Sequence, residues 1–128
     1  MVLFLAILSL GTTAAAAEEP NCSNPSTQPE MTACASLLYE EADAELNRVY
    51  KLAIENAKRM DADFQAGPIP LADLVRDAQR AWIPFRDRAC EVEAGLAQGG
   101  TASSQFYLEC LDKLTRRRID DLTEVTRY

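Results

Sequence analysis

Apolar residues recur at intervals of three and four along most of the chain, a spacing that predicts helices. The first such series runs from Met31 to Ala57 and predicts a helix from about residue 28 to 60. Two further series predict helices over about 70–95 and from about 101 to 124. In the second helix the predicted inner stripe comprises Leu71, Leu74, Ala78, Trp82, Phe85 and Ala89. No run alternates as a strand would, so we predict an all-α, antiparallel three-helix bundle.

Residues that start or stop helices lie at the ends of these three segments. Thr27 and Glu30 have the spacing of a capping box before the first helix. Proline and glycine between residues 61 and 70 predict a loop, and the run from 95 to 100 predicts a second one, after which Thr101 or Ser103 can cap the third helix. Pro84 lies inside the second helix, where we expect a kink.

The first seventeen residues resemble a secretory signal peptide. Residues 1–17 carry no charge, and they end in four alanines before Glu18, which matches a small-residue cleavage site. Gly11 interrupts the apolar run well short of the ~20 residues that span a bilayer. The residues before Cys22 do not suit lipid attachment. We therefore expect a periplasmic or secreted protein without membrane insertion after signal removal, with a non-helical arm at 18–27 and a helical domain at 28–124.

Four cysteines in a small exported chain predict two disulfides, for which three connectivities are possible. In an antiparallel bundle Cys90 and Cys110 lie at similar heights on the second and third helices. Cys22 lies on the arm, which can fold back to Cys34 in the first helix. We therefore predict the pairs Cys22–Cys34 and Cys90–Cys110.

The absence of histidine excludes several kinds of chemistry. Nucleophilic machinery with a histidine base and histidine-ligated zinc are both ruled out. Carboxylate pairs such as Glu41 with Glu45, or Asp120 with Asp121, lie on predicted solvated faces without a cleft to separate their pKa values. No spacing typical of a metal site is present. We expect no catalytic residue, metal or cofactor.

The net charge of −7 comes entirely from the beginning of the mature chain. Residues 18–47 hold seven acidic residues and no basic one, whereas the remainder is neutral. This distribution disfavours nucleic acid as a partner and favours a basic protein. The alternative is that these acids only complement the helix dipole and maintain solubility. The candidate partner-binding face comprises Glu40, Glu41, Asp43 and Glu45.

The second helix also carries aromatic and basic residues with two interpretations. Trp82, Phe85 and Arg86 can form an exposed recognition patch, but their spacing favours core packing of Trp82 and Phe85. Flanking polar side chains can then join the three helices in a partly buried network. The predicted network comprises Asp43, Asn47, Gln79, Arg80, Trp82, Arg86, Thr115 and Arg118.

Five blocks of the sequence resemble the LprI-type lysozyme-inhibitor-like domain over about residues 28–122. They are Gln28-x-Glu30-Met31-x-x-Cys34-Ala35, Ala42-Asp43-x-x-Leu46-Asn47-x-x-Tyr50, Ala78-Gln79-Arg80-Ala81-Trp82-x-x-Phe85-Arg86-Asp87-x-x-Cys90, Gly99-Gly100-Thr101 and Cys110-x-x-x-Leu114-Thr115-x-x-Arg118. The resemblance implies a small, cysteine-stapled helical domain, exported or lipid-anchored, of a family with at least one lysozyme inhibitor. Pro84 and the missing lipid-attachment signal depart from that pattern.

Two functions are compatible with these observations. The first is an exported protein that binds a basic cell-wall hydrolase such as lysozyme through the acidic face of the first helix, with electrostatic steering of the encounter. The alternative is a non-inhibitory periplasmic module of the envelope that binds another protein or peptidoglycan. We consider an enzyme the least favoured class.

Overall fold

Three helices account for most of the computed structural model, which describes residues 19–64 and 67–128. They are α1 (Gln28–Asp63), α2 (Leu71–Gly95) and α3 (Ser103–Thr126). No strand occurs in those two ranges. The predicted all-α bundle is therefore confirmed, with each helix boundary within three residues of its prediction. The predicted signal peptide at 1–17 lies outside the described residues.

Contacts between the helices give their directions. Gln28 Nε2 donates to Gln105 Oε1, and Arg116 donates to the Leu38 carbonyl, so α1 and α3 run parallel with an offset of 77–78 residues. Arg118 of α3 donates to Gln79 of α2, which runs antiparallel to both. The bundle is therefore up-down-up, with its most extensive packing between α1 and α3.

The predicted capping box forms at the start of α1. The Glu30 amide donates to Thr27 Oγ1, and the Glu30 carboxylate accepts the Thr27 amide at 3.0 Å. It also accepts the Ser26 amide at 2.8 Å. These amides, Ser26 first, lower the pKa of Glu30 because they hydrogen-bond to its charged form.

The N-terminus of α2 is capped by a residue of α1. Asp61 accepts the amides of Leu71 and Ala72 at 2.7 and 3.0 Å, so its carboxylate satisfies two donors that the helix itself leaves unpaired. The predicted cap of α3 by Thr101 or Ser103 is wrong, because the capping position is Ala102. The Ser103 hydroxyl instead donates to the Ala94 carbonyl at the end of α2.

The core has two parts of different chemistry. Towards the α1–α2 loop it is aliphatic and alanine-rich, and its buried members are Leu46, Val49, Ala53, Ala57, Ala72, Val75 and Leu122. Towards the start of α1 and α3 the buried cluster is Cys90, Cys110 and Leu111, with Tyr39 and Tyr107 packed against it. At this end a disulfide takes the place of large aliphatic side chains.

Both predicted disulfides are present. Cys22–Cys34 ties the N-terminal arm to α1, and Cys90–Cys110 ties α2 to α3. No free cysteine remains. Cys34 and Cys110 differ by 76 residues, close to the offset between α1 and α3, so the two bridges lie at the same level of the bundle.

The predicted inner stripe of α2 is wrong for three of its members, since Leu74 (47% exposed), Phe85 (63%) and Ala78 face solvent. Leu71 and Trp82 are partly buried against the core, and Ala89 is also partly buried. The fully buried residues of α2 are Ala72, Val75, Gln79, Arg86 and Cys90. Each of these buried residues comes one residue after a position of the predicted stripe. The buried face of α2 is therefore rotated by about 100° from the predicted one. The helix continues through Pro84, which is exposed.

Removal of the Asp61 carboxylate tests the cap between helices. We expect Asp61→Ala to lower the free energy of unfolding by about 1 kcal/mol, as for other lost helix caps. Chemical denaturation followed by circular dichroism measures the change. Asp63→Ala, an exposed acid in the same turn of α1, is the matched control. Equal stability of the two variants would contradict the cap.

Candidate functional site

The four acids of the predicted binding face are spread around the solvent side of α1. At about 100° per residue, Glu41 and Glu45 lie about 40° apart on one flank, Glu40 lies about 100° from Glu41, and Asp43 lies about 160° from Glu41. Asp43 points towards α2 and Glu41 towards α3. The structure therefore does not bring the four carboxylates together into a single face.

Two of these acids already have positively charged partners. Glu45 accepts two hydrogen bonds from Arg48 at 2.6 and 2.7 Å, and these bonds lower the pKa of Glu45. Asp43 lies 3.7 Å from Arg86 and accepts a hydrogen bond from Asn47 at 3.2 Å. Their charges are therefore largely neutralised within the protein.

Glu40 and Glu41 are the acids of this group that keep an unneutralised charge. Both are exposed, and within the described ranges neither makes an ion pair. Glu40 accepts a hydrogen bond from the Ser36 hydroxyl. Glu41 lines a cleft of about 460 Å³ between α1, α3 and the N-terminal arm, which we call the α1–α3 groove.

The α1–α3 groove has an apolar floor and an acidic rim. Its apolar surface comes from the Cys22–Cys34 disulfide together with Pro25, Met31, Ala35, Leu37 and Leu38. Leu37 and Leu38 are half exposed, at 49% and 50%. The rim carries Glu41 from α1 and Glu109 from α3, with Gln105 donating to Glu109 at 2.7 Å. A mostly apolar cleft with a few polar groups is typical of a binding site.

Glu109, Gln105 and the exposed Leu37 and Leu38 were not singled out from the sequence. Glu109 is 68 residues from Glu41, and only the parallel packing of α1 and α3 brings them to one groove. Two acids on different helices cannot be recognised as neighbours from the number of charges in any one stretch of the sequence. The exposed leucines of α1 fall within an ordinary helical periodicity.

Arg86 lies at the point where the three helices meet. It is 8% exposed, and its guanidinium lies over the rings of Trp82 and Tyr39 at 5.1 and 5.6 Å. It also pairs with Asp87 at 2.9 Å. On the other side, Arg118 lies 5.8 Å from the Trp82 ring. Trp82 thus contacts guanidinium groups from α2 and α3, in arrangements that are attractive by cation–π interaction.

The other members of the predicted network are placed differently. Gln79 is buried and accepts a hydrogen bond from Arg118 at 3.0 Å. Asn47 is exposed and bonds only to Asp43, its neighbour on α1, through both the backbone carbonyl and the carboxylate. Arg80 is exposed and joins none of these contacts. Thr115 is fully buried, but its hydroxyl has no partner in the described part of the chain.

A buried polar residue outside the predicted set joins α1 to α3 at the end of the bundle away from the disulfides. Asn56 of α1 is 5% exposed and donates to the Val125 carbonyl of α3 at 2.7 Å. Its side-chain oxygen accepts a hydrogen bond from Arg59. Asparagine in a helix ordinarily faces solvent, so sequence reasoning had no ground on which to select Asn56.

Among the described residues, no three acidic or cysteine side chains are grouped so that they could hold a metal ion. Burial raises the pKa of the Tyr39 hydroxyl, with Arg86 acting in the opposite sense, so Tyr39 stays protonated at neutral pH. No helix in residues 19–64 and 67–128 has the length and apolar character needed to cross a bilayer.

Comparison with known proteins identifies the family. The model of the lysozyme inhibitor LprI family matches residues 20–122, which is most of the chain. A relative described as an uncharacterized protein of Rhizobium meliloti (strain 1021) is 36% identical over 110 residues, covering 84% of this chain and 79% of the relative. No solved structure matches the chain. The chain therefore belongs to the lysozyme inhibitor LprI family.

Family membership has three coarse consequences. It indicates a lysozyme-inhibitor-like function, for which the characteristic partner is a lysozyme. It is compatible with a protein that is not an enzyme. Together with the two disulfides it fits an extracytoplasmic location, since disulfides persist in oxidising compartments.

The contact of Arg86 with two aromatic rings predicts a stabilising role. We expect Arg86→Met to lower the free energy of unfolding by about 2 kcal/mol, because the variant loses the cation–π contacts and the pairing with Asp87. Arg80→Met is the matched control, since Arg80 is an exposed arginine of the same helix. Denaturant unfolding compares the two, and an unchanged or increased stability of Arg86→Met would contradict this role.

The unpaired hydroxyl of Thr115 predicts a stabilising substitution. Thr115→Val keeps the side-chain shape and removes a buried polar atom without a partner, so we expect the free energy of unfolding to rise by about 1 kcal/mol. Thr123→Val is the control, because the Thr123 hydroxyl donates to the Ile119 carbonyl at 2.7 Å. A Thr115→Val variant less stable than wild type would refute the expectation.

Proposed function

We propose that this protein is exported and inhibits a basic lysozyme-type wall hydrolase, with the α1–α3 groove as its binding surface and with Glu40 adding to the negative charge that attracts the enzyme. The observation that supports this most directly is the pair of unneutralised carboxylates, Glu41 and Glu109, at the rim of an apolar cleft. The proposal narrows the acidic face of α1 to Glu40 and Glu41 and adds Glu109 from α3.

The chemistry of the groove suits a lysine or arginine side chain of the partner. The aliphatic stem of such a side chain packs on apolar surface, here Met31 and Leu38, while its charged end stays at the polar rim. Glu41 and Glu109 then act as the two acceptors. Because neither carries an ion pair within residues 19–64 and 67–128, binding requires no internal ion pair to break.

Asp43 and Glu45 have a secondary place in this proposal. Their charges add to the long-range field that attracts a basic partner, but their contacts with Arg86 and Arg48 remain in the complex. Glu40 does not line the groove, and it contributes to the same long-range field from a neighbouring flank of α1. Steering by such charges raises the association rate and weakens as salt screens it.

The groove is rigid enough to act as a preformed site. The disulfide Cys22–Cys34 forms part of its wall, and Gln28 and Gln105 hydrogen-bond across its two helices at 2.8 Å. A surface held in its binding conformation loses less entropy on association. The bound protein then covers part of the enzyme's positive surface near its cleft and blocks entry of the wall polymer.

A lysozyme turbidity assay on a suspension of bacterial cell walls tests the proposal. We expect the wild type to inhibit lysis and Glu41→Gln/Glu109→Gln to need about tenfold more protein for the same inhibition. Glu45→Gln should have a smaller effect, since Arg48 already neutralises that charge. Raising the salt from about 50 to about 300 mM should weaken inhibition by the wild type.

The control removes the same charge at sites away from the groove. Glu55→Gln/Asp120→Asn changes two exposed acids on the same two helices, and it should inhibit as the wild type does. Equal loss in both double variants would show a dependence on net charge alone and would reject the groove. Absence of inhibition by the wild type at about 50 µM, well above ordinary inhibitor affinities, would reject inhibition itself.

A further inference from the structure

One flank of α2 exposes an apolar stripe along its length. Its members are Leu74, Ala78, Ala81, Phe85 and Val92, which we call the α2 stripe. Leu74, Phe85 and Val92 are 47%, 63% and 69% exposed, and both alanines are exposed as well. Single exposed apolar residues are ordinary, but a continuous line of them is typical of an interaction surface.

The spacing of the α2 stripe is that of a two-stranded coiled coil. Positions 74, 78, 81, 85, 88 and 92 are separated by four, three, four, three and four residues, the a and d positions of consecutive heptads. Arg88 occupies the one polar position of the series, is 80% exposed and pairs with Glu91 through one of its guanidinium nitrogens at 2.6 Å, which leaves its other donors for a second carboxylate. The stripe covers about 27 Å of helix from Leu74 to Val92. None of these positions is needed for the core, which uses the face about 100° away.

The series is complementary to itself in one antiparallel register. When residues whose numbers sum to 166 face one another, Leu74 meets Val92 of the second copy and Ala81 meets Phe85. In the same register Ala78 meets Arg88, whose aliphatic stem can cover it. Each layer places a large side chain opposite a smaller one, as close packing of two helices requires.

The charges beside the stripe agree with this register. Asp77 and Arg88 lie on the same side of the α2 stripe, about 20° apart around the helix. In the antiparallel pair the Asp77 carboxylate of each copy lies next to the Arg88 guanidinium of the other, since their numbers sum to 165. Asp77 is exposed and makes no ion pair within the described ranges. Two-fold symmetry forms this pair twice.

We propose that the protein forms a homodimer through antiparallel pairing of the α2 stripes of two copies. The interface is one helix wide, so it falls at the small end of stable interfaces and gives a reversible dimer. It lies on α2, whereas the α1–α3 groove is formed by the other two helices. Both grooves therefore remain open in the dimer, and its formation does not depend on the proposed inhibition.

Sedimentation equilibrium of the mature protein over about 1–500 µM tests the dimer, a range that brackets micromolar association. We expect the wild type to pass from monomer to dimer and Phe85→Glu to stay monomeric. Leu52→Glu is the matched control, because Leu52 is an exposed leucine of α1, 43% accessible and outside the stripe. It should dimerise as the wild type does. Circular dichroism verifies that both variants are folded.

A charge exchange tests the register. Arg88→Asp should raise the dimer dissociation constant about tenfold by placing two acids together, and Asp77→Arg/Arg88→Asp should restore it. Within one chain these positions are about 16 Å apart along α2, so the restoration can arise only between copies. A wild type that stays monomeric up to about 500 µM, or a double variant no better than Arg88→Asp, would overturn the proposal.

Discussion

The ring of Trp82 contacts two guanidinium groups, and this contact goes with the observed rotation of α2, which turns Arg86 and Gln79 inward. Arg86 reaches the ring from the same helix and also lies over the Tyr39 ring of α1, while Arg118 approaches Trp82 from α3. With Arg86 and Gln79 turned inward, the apolar residues one position earlier in α2 must face outward. The same contact therefore joins all three helices and goes together with the exposure of the α2 stripe.

Burial of the charged Arg86 guanidinium costs free energy, and the groups around it offset that cost. A buried guanidinium is tolerated only when its donors and charge are satisfied. Arg86 has Asp87 and, at longer distance, Asp43, both of which are partly exposed, so the charge is not isolated in the core. The aromatic rings take the place of water on its faces. This combination gives specificity of helix orientation that alanine-rich packing alone would not provide.

Much of the fold could be predicted because its signals are local. Thr27 and Glu30 mark the start of α1, glycine and proline mark the loops, and the heights of the cysteines in an antiparallel bundle select the disulfide pairs. The rotation of α2 could not be predicted, because hydropathy assigns Gln79 and Arg86 to the surface. Their burial depends on Arg118 and Tyr39, which lie on other helices and are distant in sequence.

The candidate site was predicted in part for the same reason. The acidic excess near the start of α1 is visible in the sequence, and Glu41 does line the groove. What local reasoning could not show is which carboxylates share a cleft. Arg48 is three residues from Glu45 and pairs with it locally, whereas Glu109 is remote from Glu41 in sequence and shares its cleft. The grouping of Glu41 with Glu109 therefore follows from tertiary contacts rather than from the density of acids along the chain.

The two disulfides lie at one level of the bundle, and the opposite end is held by noncovalent contacts, namely the aliphatic core and the hydrogen bonds of Asp61 and Asn56. Local unfolding should therefore be more frequent at the α1–α2 loop end of the bundle than at the disulfide end. We expect backbone amides near the α1–α2 loop to exchange with solvent through partial unfolding, and those near the bridges to exchange through the rarer global event. The α1–α3 groove lies at the bridged end, whereas the α2 stripe begins at Leu74, beside the α1–α2 loop. Local opening should therefore leave the groove ordered while it loosens one end of the dimer surface.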